Sequence, residues 1–583
     1  QILKTKVGGS QEFWNRVTSR VRILYDFFNG EWLYHDQLFG IATNLIHIKG
    51  GEKKYRETIE KFNAMGKTFY TPDKIAIIQY IKMREYYPMR LTNFSPYEED
   101  KEYINIITAG SEPRGSVTIL EKITSKPLKQ AEEELSNINK YVSTSTGTTH
   151  IHIVKTSTSI GKTENLIKQK GLIAVPTNTL KNEISARMEG IQDFSVTPDT
   201  LEFSNPIIQE RINNYYSCGL HSRANSIIHS VSRGKYGTDA SKEDIERAKI
   251  YLDKLQKCYD TTNTLVTTHS RAMYGDFSHD TLIFDEDPLS ELLSVKSVRI
   301  SDLRKIDYRN SNKQIKSIVE YFEGCSKGEI ISHPILDIDI DSLANDLNWD
   351  YTSSSDLFSF FRSSFHIRDK YDGDLIFYIV KNDPPKGKKI AIYSATIPLY
   401  IYQKLFGERV IIYDQGVVEQ TGKIIQYTSR SCSRSQLKEY ISTISSKVGD
   451  TPVITFAEYK DKFKNPIREL HFGKTSGFDG WKGKDIAVVG TPHRNNAEYL
   501  LIASVLGMEL KTADTGFAVQ EIEYNGMRFN FNTYHHEGLR NIQLSLIESE
   551  LIQAVGRART LRTDARVDLY SNFPLRISSE YRY

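Results

Sequence analysis

Apolar residues follow two different rhythms along this chain. Up to about residue 142 they recur at three- and four-residue spacing, as in "QEFWNRVTSRVRILYDFFNG", "PDKIAIIQYIKMREYY" and "PLKQAEEELSNINKYV". In the last of these Leu128, Ala131, Leu135, Ile138 and Val142 share one helical face. The polar, Gly-containing "STSTGTT" (Ser143 to Thr149) then interrupts, which predicts a helical N-terminal domain over 1–144 and a boundary near 145. Beyond it come short apolar runs that end in polar residues: "GLIAVPT", "TLVTTHS", "DTLIFDED", "KKIAIYSAT", "TPVITFAEY" and "GKDIAVVGTPH". Runs of this kind alternating with helical stretches predict the α/β class, a parallel sheet whose site lies at the strand C-termini. Two long stretches of mixed composition, about 205–260 and 290–385, break the alternation, and there is no internal repeat.

Length and composition narrow the picture. A chain of 583 residues exceeds what one core supports, so three or more domains are expected. A formal net charge of +3 permits a nucleic-acid partner through local basic surfaces without announcing one. The four cysteines, Cys218, Cys258, Cys325 and Cys432, show no close pair and no metal-ligand spacing, which points to a reduced, cytoplasmic protein. No apolar stretch approaches the ~20 residues that cross a bilayer, so no membrane partner is expected, and the N-terminus has no signal-peptide pattern. A first residue of Gln suggests a fragment of a longer polypeptide. The 34 Tyr and 26 Phe supply stacking surfaces if the ligand is a base, although such rings also build cores.

Gly-Lys-Thr occurs three times, at Gly66-Lys67-Thr68, Gly161-Lys162-Thr163 and Gly473-Lys474-Thr475. A phosphate loop must leave a buried strand, turn tightly and open a helix whose first N–H groups face the phosphates. Only the middle copy has that frame, with "HIHIV" before it and "TENLIKQKG" after it. Thr158, Ser159, Ile160, Gly161, Lys162 and Thr163 are therefore the candidate phosphate cradle. Lys162 is suited to the β- and γ-phosphates and the Thr163 hydroxyl to a Mg²⁺ shell. The pattern departs at Thr156, where a phosphate loop asks for glycine, so an ordinary strand-helix turn stays open as an alternative.

Further candidates lie at other strand and helix ends. "LIFDEDP" puts Asp285 and Glu286 at a strand tip, one suited to Mg²⁺ and the other to polarising water. The alternative is an acidic solvated turn. "IYSATIP" places Ser394 and Thr396 at another tip, and "ELIQAVGRARTLR" offers Gln553, Gly556, Arg557 and Arg559 from a helix end. Arg562 is expected to meet solvent or a phosphate backbone. In "LDIDIDSL", Asp337, Asp339 and Asp341 would align three carboxylates on one strand face, or form a solvated strand edge. His150 and His152 share a strand face and are read as structural, so no zinc is expected.

Taken in order, the phosphate loop, Asp-Glu box, Ser-Ala-Thr and Gln-x-x-Gly-Arg-x-Arg resemble the ATPase core of superfamily 2 helicases, over roughly residues 150–575. "AVPTNTL", with Pro176 and Thr177, is similar to motif Ia of that family. "TTHSRAM", with Thr268 and His269, is similar to the backbone-contacting motif before the acidic box. "TPVITFAEY", with Phe456, looks like the first strand of the second RecA-like domain, and "FGKTSGFDGWKGKDIAVVGTPH" is similar to motif V of the XPD and DinG branch. The two interruptions match that branch's insertions. Its iron–sulfur cluster needs four Cys in the first insertion; only Cys218 and Cys258 lie there, so no cluster is expected. "YHDQLFGIATNLIHIKGG" and "YYPMRLTNFSPYEED" resemble the helical segment that follows the primase core in phage and plasmid primase–helicases, where the second stretch usually carries zinc-binding Cys that are absent here.

The resemblance implies two RecA-like parallel-sheet domains, at 145–415 and 416–583, binding ATP and Mg²⁺ between them. Lys162, Glu286, Gln553, Arg557 and Arg559 would be catalytic. Thr158 to Thr163, Asp285, Gly477 and Asp479 would hold the nucleotide, with Thr163 and Asp285 on the metal. Pro176, Thr177, Thr268, His269, Ser394, Thr396 and Phe456 would face nucleic acid. The expected partners are single-stranded and forked DNA, with RNA open, and a primase domain ahead of Gln1. A duplex translocase that does not unwind, and a non-catalytic single-strand clamp, are the alternatives.

Overall fold

The computed structural model describes residues 9–110, 115–147, 149–236, 240–310, 312–333, 336–347, 356–475 and 480–583. The last residue aside, the chain divides into two compact units, 1–116 and 117–582. The first is helical, with Gln11–Arg20, Arg22–Asn29, His35–Leu45, Gly51–Ala64 and Asp73–Met83 packed around Trp14, Phe27, Leu38, Ile41, Tyr55 and Ile78. Asp100 is fully buried there because it caps a helix: its carboxylate accepts from the Arg22 and Ile23 N–H groups at 2.6 and 3.1 Å and from Ser95 Oγ at 2.6 Å. A buried carboxylate is tolerable only with such partners.

The second unit is α/β. Its first sheet uses β1 (Ile151–Lys155), β2 (Leu172–Val175), β3 (Phe194–Val196), β4 (Thr264–Thr268), β5 (Thr281–Asp285), β6 (Lys389–Ser394) and β7 (Val410–Asp414). All seven are parallel, in the order β7-β1-β6-β5-β2-β4-β3. A second parallel sheet uses β8 (Lys423–Tyr427), β9 (Val453–Ile454), β10 (Ile486–Val489), β11 (Arg566–Tyr570) and β12 (Glu580–Arg582), in the order β9-β10-β11-β8-β12. Strands β2, β6 and β10 are buried along their whole length, as parallel strands covered on both faces require. The change of sheet falls between Asp414 and Lys423.

The Leu128–Thr144 helix, expected in the N-terminal domain, instead packs Ala131, Leu135 and Val142 against Val154, Ile160 and Ile173 of the first sheet and its loop. Buried Lys389 caps its C-terminal end, donating to the carbonyls of Val142, Ser143 and Ser145 at 3.0, 3.0 and 3.2 Å. The polar linker begins inside the helix, at Ser143 and Thr144, and the division lies at 116/117 instead of near 145.

The interruptions are subdomains. The first contributes the helices Pro206–Ser217, His221–Ser232 and Lys242–Asp260. The second contributes an antiparallel sheet, Leu293–Arg299, Leu375–Lys381, Phe365–Arg368 and Ile330–Ser332 in spatial order, backed by the helices Ile300–Asn310 and Lys313–Gly324. The aspartates of "LDIDIDSL" do not align on a strand. Asp339 caps the Ile340–Asp346 helix, accepting from the Asp341 and Ser342 N–H groups. Cys218 and Cys258 are buried in different apolar clusters. His152 is buried and stacks on Tyr413. Among the described residues no helix is long and apolar enough to cross a membrane.

Two buried imidazoles set an acid limit. His366 accepts or donates at Nε2 to the Tyr321 hydroxyl (2.9 Å), and His493 stacks on Phe531 and pairs with Gln543. Burial pushes both down to about 4. Between pH 6.5 and 4 the unfolded chain therefore binds protons that the folded one refuses, so stability falls as pH drops through that window. Each ring contributes up to about 3 kcal/mol of the loss. Urea denaturation at pH 7 and pH 5 should show a smaller pH-dependent loss for the His366→Gln, His493→Gln double variant than for the wild type; equal losses would rule the two rings out.

Candidate functional site

Strand β1 runs into the 156–161 loop and the short Lys162–Leu166 helix. Thr156, where glycine was expected, donates its N–H to the Ser394 carbonyl (3.1 Å) and continues the pairing with β6. Its backbone is not left-handed, so a side chain is tolerated there. The loop's left-handed residues are Ser159 (φ +70°) and Gly161 (φ +92°). Ile160 is buried and anchors the loop in the apolar cluster under the sheet.

The loop lysine meets the acidic strand across β6, which lies between β1 and β5. Lys162 Nζ sits 2.9 Å from Asp285 Oδ1 and donates to Glu286 Oε1 at 3.0 Å and to the Tyr393 carbonyl at 3.2 Å. The same carbonyl accepts the Glu286 N–H at 2.9 Å, and Glu286 is held in the left-handed region at φ +74°. Burial pulls the Lys162 ammonium down, but the two carboxylates outweigh it and hold the lysine charged. One ammonium cannot satisfy both acids. Burial raises Asp285, while for Glu286 the pull of Lys162 overcomes burial and keeps it ionised. Asp285 Oδ1 is buried with no hydrogen bond directed at it despite the ion pair. Asp285 lines the same cavity as Thr163, and a carboxylate with a hydroxyl is a donor set that fits a Mg²⁺ shell.

His269, expected to face nucleic acid, is buried. Its Nε2–H donates to the Asp285 carbonyl (2.9 Å), and desolvation lowers it to about 4, so it is a neutral prop under the acidic strand.

The opposite wall of the cleft comes from the helix Glu537–Val555, which ends at a tight Gly556–Ala558 turn before Arg559 at φ +59°. The turn brings Gln553, Arg557, Arg559 and Arg562 to line one cavity of about 250 Å³ with Thr158, Ser159, Gly161, Lys162, Thr163, Asp285 and Glu286. Arg559 Nη1 donates to Ser159 Oγ at 3.1 Å. Arg562 is exposed, as expected, and is also tied to the loop. Its Nε donates to the Ser159 carbonyl at 2.5 Å and its other nitrogen pairs with Glu132 of the Leu128–Thr144 helix. Arg187 and Lys482 also line the cavity and carried no sequence signal beyond their charge.

A second cleft shares Pro176, Glu286 and Gln553 with the first and adds His269, Thr396, Gly473 and Thr475. Thr177 and Thr268, at the ends of β2 and β4, do not line it; they are helix N-caps, accepting from the Leu180 and Arg271 N–H groups. Ser394 is buried, its Oγ accepting from the Thr396 N–H at 3.1 Å. Phe456 is 2% exposed and packs on Phe472 in the core of the second sheet, so it offers no face to a base. Gly477 and Asp479 lie outside the described residues. Glu550 Oε1 accepts from the Gly473 N–H at 2.8 Å and from Thr475 Oγ1 at 3.0 Å, which ties the third Gly-Lys-Thr to the arginine-bearing helix. The first Gly-Lys-Thr follows the end of the Gly51–Ala64 helix, the carbonyl end, where no phosphate site forms.

No protein-family model and no curated protein matches the chain.

Glycine at 556 is required by approach, because a Cβ there would lie 2.8 Å from Thr158 Cγ2. Gly556→Ala must push the loop and the arginine turn apart. Thermal unfolding without nucleotide should show a loss of about 1–3 kcal/mol, the usual cost of overpacking a tight contact. An unchanged Tm would mean the two walls do not close on each other in solution.

Proposed function

We propose that this chain is an ATP-driven motor that moves along single-stranded nucleic acid and unwinds duplex, built on two RecA-like lobes at about 145–415 and 416–583. One observation carries the reading: arginines from the helix beside the second sheet reach the glycine-lysine-threonine loop of the first, across a cleft that also holds a Lys–Asp–Glu cluster. A site of this kind has parts for phosphoryl transfer to water. The order of motifs, with its resemblance to superfamily 2 helicases, supports the same reading. DNA is the proposed track, single-stranded and forked, in the cytoplasm, with a primase domain as a proposed partner.

The chemistry follows from what each group must give up. An arriving triphosphate offers Lys162 a better partner than Asp285 and Glu286, so the ammonium turns from the carboxylates to the β- and γ-phosphate oxygens. Thr163 and Asp285 would hold Mg²⁺, which when bound supplies positive charge to the same oxygens. Glu286, released from Lys162 and already ionised, accepts a hydrogen bond from the attacking water and orients it. Arg557 and Arg559 face the charge that develops on the transferred group, and water loss from the closing cleft strengthens that interaction. Hydrolysis removes the shared anion, and the two walls part. The strand would be held mainly through its phosphates, and so without regard to its sequence.

Lys162→Ala should abolish nucleic-acid-stimulated ATP hydrolysis, and Glu286→Gln should bind ATP but hydrolyse it at least a hundredfold more slowly, a general-base loss. Lys67→Ala, in the helix-end copy, should turn over like the wild type. A forked-duplex assay run alongside separates unwinding from duplex tracking, and wild-type turnover by either site variant would sink the assignment.

Arg559 reaches across the cleft to a serine hydroxyl that a phosphate can replace, whereas Arg562 is held by a backbone carbonyl and Glu132. Arg559→Ala should therefore cut the maximal rate about a thousandfold with ATP affinity little changed, the scale of a missing arginine finger. Arg562→Ala should stay within severalfold. Stopped-flow phosphate release at saturating ATP reads both, and the reverse ranking would reassign the finger.

A further inference from the structure

The 1–116 unit exposes rings that its own core does not need. Trp32 is 55% exposed, Tyr34 67%, Tyr80 44% and Tyr87 65%. Isolated exposed aromatics are ordinary, but these belong to one strip. Trp32 and Tyr34 stand edge to face at 4.8 Å, His35 follows Tyr34, and the path continues from His35 to Phe39 (6.5 Å), Phe39 to Tyr86 (5.2 Å) and Tyr86 to Tyr80 (6.1 Å).

The strip is held rigidly, which a passive surface loop would not require. After the Asp73–Met83 helix the chain reverses through Glu85, a non-glycine residue at φ +51°, and the Tyr86 N–H returns to the Ile81 carbonyl at 3.2 Å. Three buried polar side chains of the His35–Leu45 helix and its end then fix the backbone that follows. His47 Nε2 bonds the Tyr86 carbonyl (3.1 Å), Asn44 Nδ2 the Met89 carbonyl (3.0 Å), and Thr43 Oγ1 accepts the Met89 N–H (3.2 Å). Burying such groups is costly unless they are bonded, and here their bonds go to a segment in which residues 84–87 are all exposed. Backbone strain combined with exposed side chains marks a presented surface.

Cations lie within the strip. The Arg84 guanidinium stands 5.9 Å over the Tyr80 ring, and Lys74 Nζ lies 2.9 Å from His35 Nδ1. Arg84 and Arg90 are exposed and form no ion pair among the described residues. Lys82, by contrast, is neutralised by Glu52, and Lys74 shares its charge with Asp73. A docking site for another protein concentrates apolar area at its centre and moves charge to the rim. Flat rings interleaved with unpaired guanidiniums instead suit a ligand with a π-face on every unit and an anion between units.

We propose that this strip, from Trp32 and Tyr34 through Tyr80 and Arg84 to Tyr87, is a binding site for single-stranded nucleic acid, in which bases stack on the rings and the arginines take the phosphates. It is built from residues of the 1–116 unit alone and does not rest on the motor reading. Duplex is excluded because its bases are already stacked on each other.

The test uses the full chain without ATP and a deoxythymidine oligonucleotide of about thirty residues carrying 5-iododeoxyuridine, several times the reach of one stacking platform. Photocross-linking followed by peptide mapping should place adducts on peptides containing Trp32 or Tyr80 to Tyr87. The exposed-residue variant Trp32→Ala, Tyr80→Ala, Tyr87→Ala should lose those adducts and bind at least about tenfold more weakly at low salt, given the scale of base–ring stacking. Its unfolding temperature and its ATP hydrolysis without nucleic acid should match the wild type, which separates a lost ligand contact from a lost fold. Failure of ATP hydrolysis in the wild type would defeat the motor reading and leave these adducts as expected. Adducts confined to residues beyond 116, or equal affinity in the folded variant, overturn the strip, as does a variant that binds the oligonucleotide normally but loses a protein partner.

Discussion

One buried ammonium organises the sheet unit. Lys162 Nζ cannot stay charged at 13% side-chain exposure without anions, and the loop delivers it to Asp285, Glu286 and the Tyr393 carbonyl together. The strand order makes this geometry available. Because β6 lies between β1 and β5, the lysine must reach over a strand tip, and that tip's carbonyl becomes the post that both Lys162 and the Glu286 N–H hold. His269, neutral and buried, fixes the Asp285 backbone from the far side. The cluster is thus stable when empty and also poised, since a triphosphate competes for the cation that now neutralises the acids.

The same site concentrates the backbone strain of the fold. Six non-glycine residues among those described are left-handed, and Ser159, Glu286 and Arg559 are three of them. Each costs on the order of 1 kcal/mol or more, and such strain persists only where surrounding contacts over-determine it. Ser159 receives Arg559 on its hydroxyl and Arg562 on its carbonyl, Glu286 is clamped between Lys162 and Tyr393, and Arg559 follows a turn whose glycine packs on Thr158. Ser159 and Arg559 therefore hold each other across the cleft, while Glu286 is held within the first wall by Lys162 and the Tyr393 carbonyl. This interlock accounts for the loss of a loop glycine at 156: the left-handed positions are 159 and 161, and Thr156 serves as an extension of β1.

Sequence patterning made the parallel strands, the middle Gly-Lys-Thr and the Asp-Glu tip legible because each depends on local order: an apolar run, a turn, a polar end. What failed depended on tertiary neighbours. The Leu128–Thr144 helix shows its apolar stripe in the sequence, but a stripe does not say which body covers it, and the sheet covers it here. Phe456 could stack on a base or fill a core by the same ring chemistry, and only packing against Phe472 decides. In the second insertion, "DLFSFFRSSFHIRDKY" interleaves aromatic and basic residues that could serve a nucleic acid, but Leu357, Phe358 and Phe360 are core residues. Alternating aspartates read as a strand face until Asp339 is seen capping a helix. The tie of exposed Arg562 to the Ser159 carbonyl had no sequence signal, because it depends on Arg559, in the left-handed region, redirecting the chain toward the loop. The Phe517–Tyr524 and Met527–Tyr534 hairpin had a readable signal in its Asn525-Gly526 turn, with both residues at positive φ.

The two clefts share walls, and the shared elements decide how one could inform the other. Glu550, Gln553 and Arg557 follow each other at one-turn intervals along the end of a single helix and its cap. Glu550 grips the Gly473–Thr475 loop beside the second cleft, Gln553 lines both clefts, and Arg557 faces Glu286 in the first. A helix end of two turns transmits a shift without absorbing it, because bending it would break main-chain hydrogen bonds inside a packed core. Displacement of the loop by a ligand in the second cleft must therefore move either Glu550 or its hydrogen bonds, and the bonds are two to one carboxylate oxygen. Under the motor reading this places the link between strand and nucleotide in the second sheet's helix. The first sheet supplies the other half: Asp285 and Glu286 stand at the tip of β5, and Lys162 reaches them over the tip of β6.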